Sequence, residues 1–323
     1  MGINGLMAVL REKHPHVFLP RQEMSGVAYV DTPLLVMSCG MVAMSSHATI
    51  DPYALVIGKL QSTAQTLFEI GASEVKFVFD GPTRPEKVQT CIKRQDSIHK
   101  AANKRKRSEP SVQLPVSELL ELPEAPEPIE LPESELVERK TYAVFETVSA
   151  EHALYSDLYI ASMNACDKDV GMLRDLSRFA KAHLERNGVT VLVAPHDSES
   201  FIASQVTLDD VAVTVDSDAL PFGCKLVAHN IGTPKEAWIR LSDVLTALNM
   251  DLHTFQVFCV MLGTDFNPRL PLCGPAKALH CIKTFTCFDD YCTANAPKTM
   301  TAESRVEWIE QAKKSLRVFS QCV

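Results

Sequence analysis

Five short apolar runs, rich in β-branched residues and separated by helical patterns, constrain the fold of this 323-residue chain most strongly. Runs of this kind, alternating with helices, are typical of buried strands in a parallel sheet. The predicted strands are Val27–Val30, Val75–Phe79, Val189–Val193, Val211–Val215 and Lys225–Ala228. The predicted helices are Ile3–Lys13, Tyr53–Ile70, Pro85–Lys106, Asp169–Arg186, Lys235–Leu248, Thr254–Leu262, Gly274–Thr284 and Ala302–Val318. The pattern predicts an α/β fold with a central, mostly parallel sheet and helices on both faces.

Acidic residues follow four of the predicted strands. They are Asp31, Asp80, the pair Asp197 and Glu199, and the pair Asp216 and Asp218, and a seventh, Asp265, follows an apolar helix. Taken singly, each is explained as a turn or helix-cap residue. The carboxyl ends of parallel strands share one edge of a sheet, however, and ligands bind there. We therefore expect the acids to converge in one crevice.

This set of acids offers oxygen ligands without histidine or cysteine, which suits Mg²⁺ or Mn²⁺. Carboxylates packed together repel one another, and their pKa values rise unless cations neutralise them. Two divalent ions about 4 Å apart form a common site for in-line attack on a phosphodiester. The acids therefore predict metal-dependent phosphodiester hydrolysis.

A basic stretch follows Asp80. Lys87 and Arg94 are seven residues apart on one predicted helix, so both point the same way, beside the acidic crevice, where they would contact a phosphate. Residues 93–107, which begin at Lys93, carry seven Lys or Arg against one Asp. They form either a solvated basic face or general phosphate contacts. This local stripe permits a nucleic-acid partner despite the formal net charge of −8.

Residues 109–138 hold nine glutamates, six prolines and no Lys or Arg, so the rest of the chain carries −8 − (−9) = +1. Proline and single-signed charge disfavour both a regular helix and a central strand. The segment divides the chain into residues 1–108, a flexible insertion at 109–140 and residues 141–323. It is either an inert linker or an acidic strap that competes with nucleic acid for the basic stripe.

The ten cysteines form no CxxC pair, and the N-terminus lacks the apolar region of a secretory signal. We expect reduced thiols in an intracellular protein. The run KRKR at 104–107 is compatible with nuclear import, and the cytoplasm is the other compartment we expect. The sequence has no uncharged apolar stretch of about 18 residues, so we expect no membrane span.

Five blocks, in order along the chain, resemble the flap endonuclease family, the structure-specific 5′ nucleases that include the xeroderma group G enzyme. They are MGINGL, VFDGPTRPEKVQTCIKR, VAPHDSESFIA, TVDSDALPFG and FCVMLGTDFNPRLPLCGPAKALHCI. The short C-terminus is similar to that of compact family members from large DNA viruses. The resemblance implies a PIN-like nuclease fold. It also implies a helical arch at about 85–166, which contains the insertion, and a helix–two-turn–helix element at about 254–285.

The same resemblance implies hydrolysis of branched or flapped DNA in replication, repair or recombination, with two Mg²⁺ ions or Mn²⁺ in their place. The seven acids named above would be the metal ligands, with Asp80 and Asp216 central to catalysis and Lys87 and Arg94 steering the phosphate. Asp197 is one methylene shorter than the family's usual Glu, so it would act through a water. The implied substrate-binding residues are Gly2, Lys87, Lys93, Arg94, Gly274 and Lys277. A monovalent cation would bind the helix–two-turn–helix element, although Leu272 and Cys273 interrupt the usual hairpin.

Two other functions stay open. The same fold and metals cleave RNA in related nucleases of messenger decay and host shutoff, and nothing in the sequence reads the 2′-hydroxyl. A nuclease-dead binding scaffold would predict the loss of several acids, yet all seven are present. The chain shows no tail with the paired aromatics that bind a sliding clamp, and its oligomeric state is not indicated.

Overall fold

A six-stranded sheet forms the centre of the protein in a computed structural model that describes residues 2–45, 51–88, 90–92, 168–269, 273–284 and 300–320. The spatial order of the strands is β3-β2-β1-β4-β5-β6. The first five are parallel, and β6 is antiparallel to β5. The strands are β1 (Val27–Asp31), β2 (Glu74–Phe79), β3 (Val191–Val193), β4 (Val211–Val213), β5 (Leu226–His229) and β6 (Ala237–Arg240). The prediction of a mostly parallel sheet is confirmed.

Helices flank the sheet along the chain. They are α1 (Leu6–Lys13), α2 (Thr32–Ser45), α3 (Pro52–Glu69), α4 (Lys168–Arg186), α5 (Ser198–Gln205), α6 (Leu241–Leu248), α7 (Leu252–Leu262), α8 (Pro275–Thr284) and α9 (Ala302–Ser320). Short 3₁₀ turns occur at Pro15–Val17, Pro85–Lys87 and Ser217–Ala219.

Both faces of the sheet are buried, each under its own group of helices. Alternate residues of a strand point to opposite faces, so Ala28 and Val30 of β1 pack with α2, α3 and α4. Tyr29 of the same strand joins the opposite cluster, which contains residues of α1 and of α5 to α9. A parallel sheet covered on both sides explains why its strands read as continuous apolar runs. Helices on both faces are therefore confirmed.

Two predicted helices differ from the structure, and two of the observed helices, α2 and α5, were not predicted. The predicted helix Lys235–Leu248 is wrong in its first part, because Ala237–Arg240 pairs with β5 and buries Trp238 and Ile239. The helix α2 was not predicted, since its apolar residues show no helical periodicity. The predicted helix Pro85–Lys106 begins instead as a 3₁₀ turn, and helix is described only at Val88 and at 90–92.

The insertion 109–140, the run KRKR and most of the predicted arch lie outside the described residues. In the part of the chain that the structure describes, no single helix is long and apolar enough to cross a membrane. Within the same described residues, α6 and α7 taken together reach that length and composition, and they meet at a bend of 81°.

Candidate active site

The acidic residues predicted from the sequence lie along the carboxyl edge of the sheet. Within β1, Val30 is in register with Phe77 of β2 and Val213 of β4, so these strands end side by side. The β3 strand follows on the outer side of β2. The residues placed at this edge are Asp31, Asp80, Asp197, Glu199, Asp216 and Asp218. The structure thus brings the four strand-end groups into one carboxylate crevice.

Two hydroxyl residues hold these carboxylates in place. Ser198 donates from its Oγ to Oδ1 of Asp31 and from its backbone N–H to Oδ1 of Asp80, at 2.8 Å in both cases. Thr214 donates to Oδ2 of Asp31 at 2.7 Å and accepts from the Asp216 backbone N–H at 3.0 Å. The sequence argument missed both residues. Their only signal is adjacency to the acids, which small polar residues show at many turns.

Most of the acids are buried. Those below a tenth exposed are Asp31, Asp197, Glu199, Asp216, Asp218 and Asp265, whereas Asp80 is exposed. Burial disfavours the charged form and raises the pKa of Asp31 to about 7, with Asp80 and Asp216 adding to the shift against two hydroxyl hydrogen bonds. Burial likewise raises the pKa of Glu199 well above its usual range, and that of Asp216 too. Among the described residues, the acids of the crevice outnumber the cations that contact them.

Lys87 enters the crevice as predicted. Its Nζ lies 2.8 Å from Oδ1 of Asp197 and 3.6 Å from Oδ2 of Asp265, and 5.8 Å from the ring centroid of Phe266. Burial by itself would lower the pKa of Lys87, but the charges of Glu199, Asp197 and Asp265 outweigh it and raise that pKa. Lys87 therefore stays charged beside the acids. The two other predicted cations, Lys93 and Arg94, lie outside the described residues.

A second cation of the crevice, Arg84, was missed by sequence reasoning. Its Nε donates to Oδ2 of Asp197 at 2.7 Å, and its Nη2 donates to Ser200 Oγ at 3.3 Å. The available signal was its spacing, three residues before Lys87 in a short helical turn. Further along the same segment, the Thr90 hydroxyl donates to the Asp265 carbonyl at 2.6 Å.

The N-terminal segment lies against the same crevice. Gly2 has φ of 85°, and an added Cβ there would collide with Oδ1 of Asp216 and Oγ of Ser217. The backbone N–H of Ile3 donates to Ser217 Oγ at 2.9 Å. No side chain therefore fits at position 2, and the backbone of Gly2 lies directly against Asp216, where the resemblance implied substrate contact.

Gly274 and Lys277 are placed elsewhere. Gly274 directly precedes α8, and Lys277 lies in its first turn. Among the described residues, no hydrogen bond or ion pair joins Lys277 to the carboxylates. The contact of Gly274 and Lys277 with the DNA duplex stays a prediction, separate from the carboxylate crevice.

The donor chemistry of the crevice fits a divalent cation, since its ligand atoms are buried carboxylate oxygens with excess negative charge. Their arrangement is a different matter. In the residues described, no three acidic, histidine or cysteine side chains come together in a way that could hold a metal ion. Asp197 faces Arg84 and Lys87, and both oxygens of Asp31 accept from hydroxyls. Metal binding would therefore require these side chains to rearrange.

Comparisons with known proteins show what this fold is similar to. The family model for the XPG I-region matches residues 188–265, which run from the start of β3 through Asp265. The catalytic core of Rad2 in complex with DNA substrate superposes over all of this chain and 85% of its own, with a TM-score of 0.57 at 16% identity. That likeness shows the fold, and the predicted PIN-like flap-endonuclease fold is confirmed.

Curated proteins show the same similarity at the level of sequence. A RAD2-like endonuclease of Frog virus 3 (isolate Goorha) is 28% identical over 294 residues, which cover 88% of this chain and 76% of that protein. Flap endonuclease 1 of Leishmania braziliensis is 33% identical over 125 residues, covering 36% of this chain and 32% of that protein. The chain thus spans about a third of that protein's length. The chain is similar to the flap endonuclease and XPG family, as its five blocks indicated, and a viral protein is among the proteins it resembles.

Proposed function

We propose that the protein is a Mg²⁺-dependent, structure-specific 5′ nuclease that hydrolyses phosphodiesters of branched DNA. The observation that carries this proposal is the crevice itself. Buried carboxylates from three strand ends and the exposed Asp80 of a fourth lie with Lys87 at the edge of the sheet where ligands bind. A site that concentrates negative charge and cations together suits an anionic substrate that arrives with divalent ions.

The metal ions would be held by carboxylates of the crevice. The proposed ligands are Asp31, Asp80, Glu199, Asp216, Asp218 and Asp265, with Asp197 acting through water. When bound, two such ions supply an activated water and stabilise the leaving oxygen. Ser198 and Thr214 would orient Asp31, Asp80 and the Asp216 backbone.

Lys87 would bind the scissile phosphate and offset the charge that develops on it. The neighbouring acids keep it protonated, and its Nζ lies 5.8 Å from the centroid of the Phe266 ring. The backbone of Gly2, which packs directly against Asp216, would lie beside the bound strand. Lys93 and Arg94 would extend the phosphate contacts along the strand.

The DNA substrate is supported by the relatives, two of which are named as endonucleases, one of them for flaps. The test is cleavage of an end-labelled 5′-flap duplex with Mg²⁺ and with EDTA, beside a single-stranded RNA of equal length. Metal-dependent incision near the flap junction supports the proposal. Cleavage of RNA alone would assign the same site to RNA decay, and binding without any cleavage would indicate a scaffold.

The metal assignment is tested by Asp216→Asn, which keeps the size of the side chain and removes its charge. We expect turnover to be lost while the folded state and most of the DNA binding remain. Cleavage by this variant at the wild-type rate would contradict the role of Asp216.

A further inference from the structure

The unusual feature of the carboxylate crevice is that two cations share one acid. Asp197 accepts from Arg84 on Oδ2 at 2.7 Å and from Lys87 on Oδ1 at 2.8 Å. Both cationic side chains are only 13% exposed, and that of Asp197 is 5% exposed. Cations are rarely buried unless a partner compensates them, so the three groups form one unit.

The backbone fixes this unit. Arg84 is extended, with φ of −61° and ψ of 143°, as expected for a residue that precedes proline. Pro85 begins the 3₁₀ turn, and the Lys87 N–H donates to the Arg84 carbonyl at 3.0 Å. Side chains three residues apart eclipse in a 3₁₀ turn, so Arg84 and Lys87 project on the same side. Both therefore reach Asp197.

The hydrogen bonds of Arg84 leave part of its guanidinium available. Nε donates to Asp197 and Nη2 to Ser200, and no described residue accepts from Nη1. Lys87 is additionally shared with Asp265, whereas the charge of Arg84 is opposed by Asp197 alone in these contacts. A planar guanidinium with two nitrogens engaged and a third without an acceptor among the described residues is suited to bind a phosphate oxygen.

We propose that Arg84 is a second phosphate-binding side chain of this site, and that Asp197 orients Arg84 and Lys87 together. Arg84 would contact a phosphodiester of the bound strand next to the one that Lys87 contacts. Asp197, with both oxygens engaged by cations, would then meet a metal ion only through water. This inference rests on the proposed nuclease function for the identity of the anion, a nucleic-acid backbone.

The test measures binding of a fluorescent 5′-flap duplex in EDTA over a series of KCl concentrations, so that no metal or turnover is involved. We expect Arg84→Ala to weaken binding about 3- to 10-fold. We also expect it to reduce the slope of log K against log salt by about one, because one phosphate contact is lost. Arg178→Ala is the matched control, since Arg178 is 75% exposed on α4 and pairs only weakly with Asp175 at 3.8 Å. Arg178→Ala should bind the flap duplex with the affinity and the salt slope of the wild type.

The proposal would be overturned if the slope of log K against log salt for Arg84→Ala equalled that for Arg178→Ala. A lower melting temperature without a change in slope would also overturn it, because that combination marks a purely structural ion pair. Arg84→Lys should keep the slope, since it retains one charge, but should lose part of the affinity with the planar donor.

The single-turnover cleavage rate with Mg²⁺ is measured on the same variants. We expect Arg84→Ala to lower it much less than Lys87→Ala does, because Arg84 contacts the neighbouring phosphodiester and not the reacting one. A wild-type protein that binds the flap without cutting it would contradict the proposed nuclease, and the salt slope would still decide the role of Arg84.

Discussion

At the scale of single residues, the acids of the carboxylate crevice differ in how far nearby cations compensate their charge. Asp31 and Glu199 are buried with their pKa values raised, while Asp197 is bound by two cations. This asymmetry separates the acids into two groups. One group has excess negative charge and suits metal ions, and the other orients the cations that suit phosphate.

Lys87 supplies the first prediction. If it contacts the reacting phosphate, Lys87→Ala should lower the single-turnover rate about 100-fold and change the affinity for the flap much less. Lys181→Ala, an exposed control on α4 whose Nζ is 3.9 Å from Glu185, should leave both unchanged. A defect confined to affinity would reduce Lys87 to a general backbone contact.

Glu236 supplies a stability prediction remote from the crevice. Hydrogen bonds from Arg21 lower its pKa from 4.5 to about 2, helped by the Gly232 N–H and the Trp238 indole. A lowered folded-state pKa contributes stability that is present above the unfolded value and lost as the pH falls through the folded value. We expect Glu236→Gln to destabilise the protein by about 1–2 kcal/mol at pH 7.

The measurement is urea unfolding of both proteins between pH 7 and pH 2. The difference in free energy of unfolding should shrink as the pH falls from about 4.5 towards 2. Glu12→Gln is the control, because Glu12 is exposed on α1. A difference that is constant with pH would exclude the charge of Glu236 as its cause.

At the scale of elements, the crevice depends on how closely β2 and β3 approach beyond their paired residues. The Gly81 N–H donates to the His196 carbonyl at 2.6 Å, and an added Cβ at Gly81 would collide with the Ala194 carbonyl. Because Gly81 follows Asp80 and His196 precedes Asp197, this contact sets the separation of two acids.

Gly81→Ala should therefore both destabilise the fold and lower the cleavage rate, since the strand ends must move apart. Gly58→Ala is the matched control. Gly58 lies on the exposed side of α3 with nothing within 4 Å of the added Cβ, so this change should stabilise the helix by about 0.5–1 kcal/mol. Thermal melts measure the stability of each variant, and single-turnover assays measure its cleavage rate. Equal effects of the two substitutions would contradict the close-approach argument.

At the scale of the whole molecule, buried like charges are a cost to folding that bound cations would remove. We expect Mg²⁺ or Ca²⁺ to raise the melting temperature, because ligands that bind only the folded state stabilise it by about 2.7 kcal/mol at 100 times their Kd. NaCl of equal ionic strength is the control for screening. The shift should be smaller in Asp31→Asn. An equal effect of NaCl would argue against specific metal binding.

The sequence by itself determined the sheet and the positions of its acids. Apolar runs mark strands that are buried on both faces, and an acid directly after such a run must lie at the sheet edge. This reasoning is local, so it placed Asp31, Asp80 and Asp216 correctly. It failed at α2, whose apolar residues lack helical periodicity, and at β6, where pairing with β5 overrode the local pattern.

Only the tertiary structure decided which groups meet. Arg84 and Asp197 are 113 residues apart in the chain, and Thr214 and Asp31 are 183 apart. Neither pair has a spacing that a periodic pattern could reveal. Hydrogen bonds and ion pairs act over a few ångströms, so their partners are set by the packing of parallel strands and not by neighbours in sequence. The set of acids could therefore be predicted from the sequence. Which of them pair with cations and which accept from hydroxyls is seen only in the folded chain.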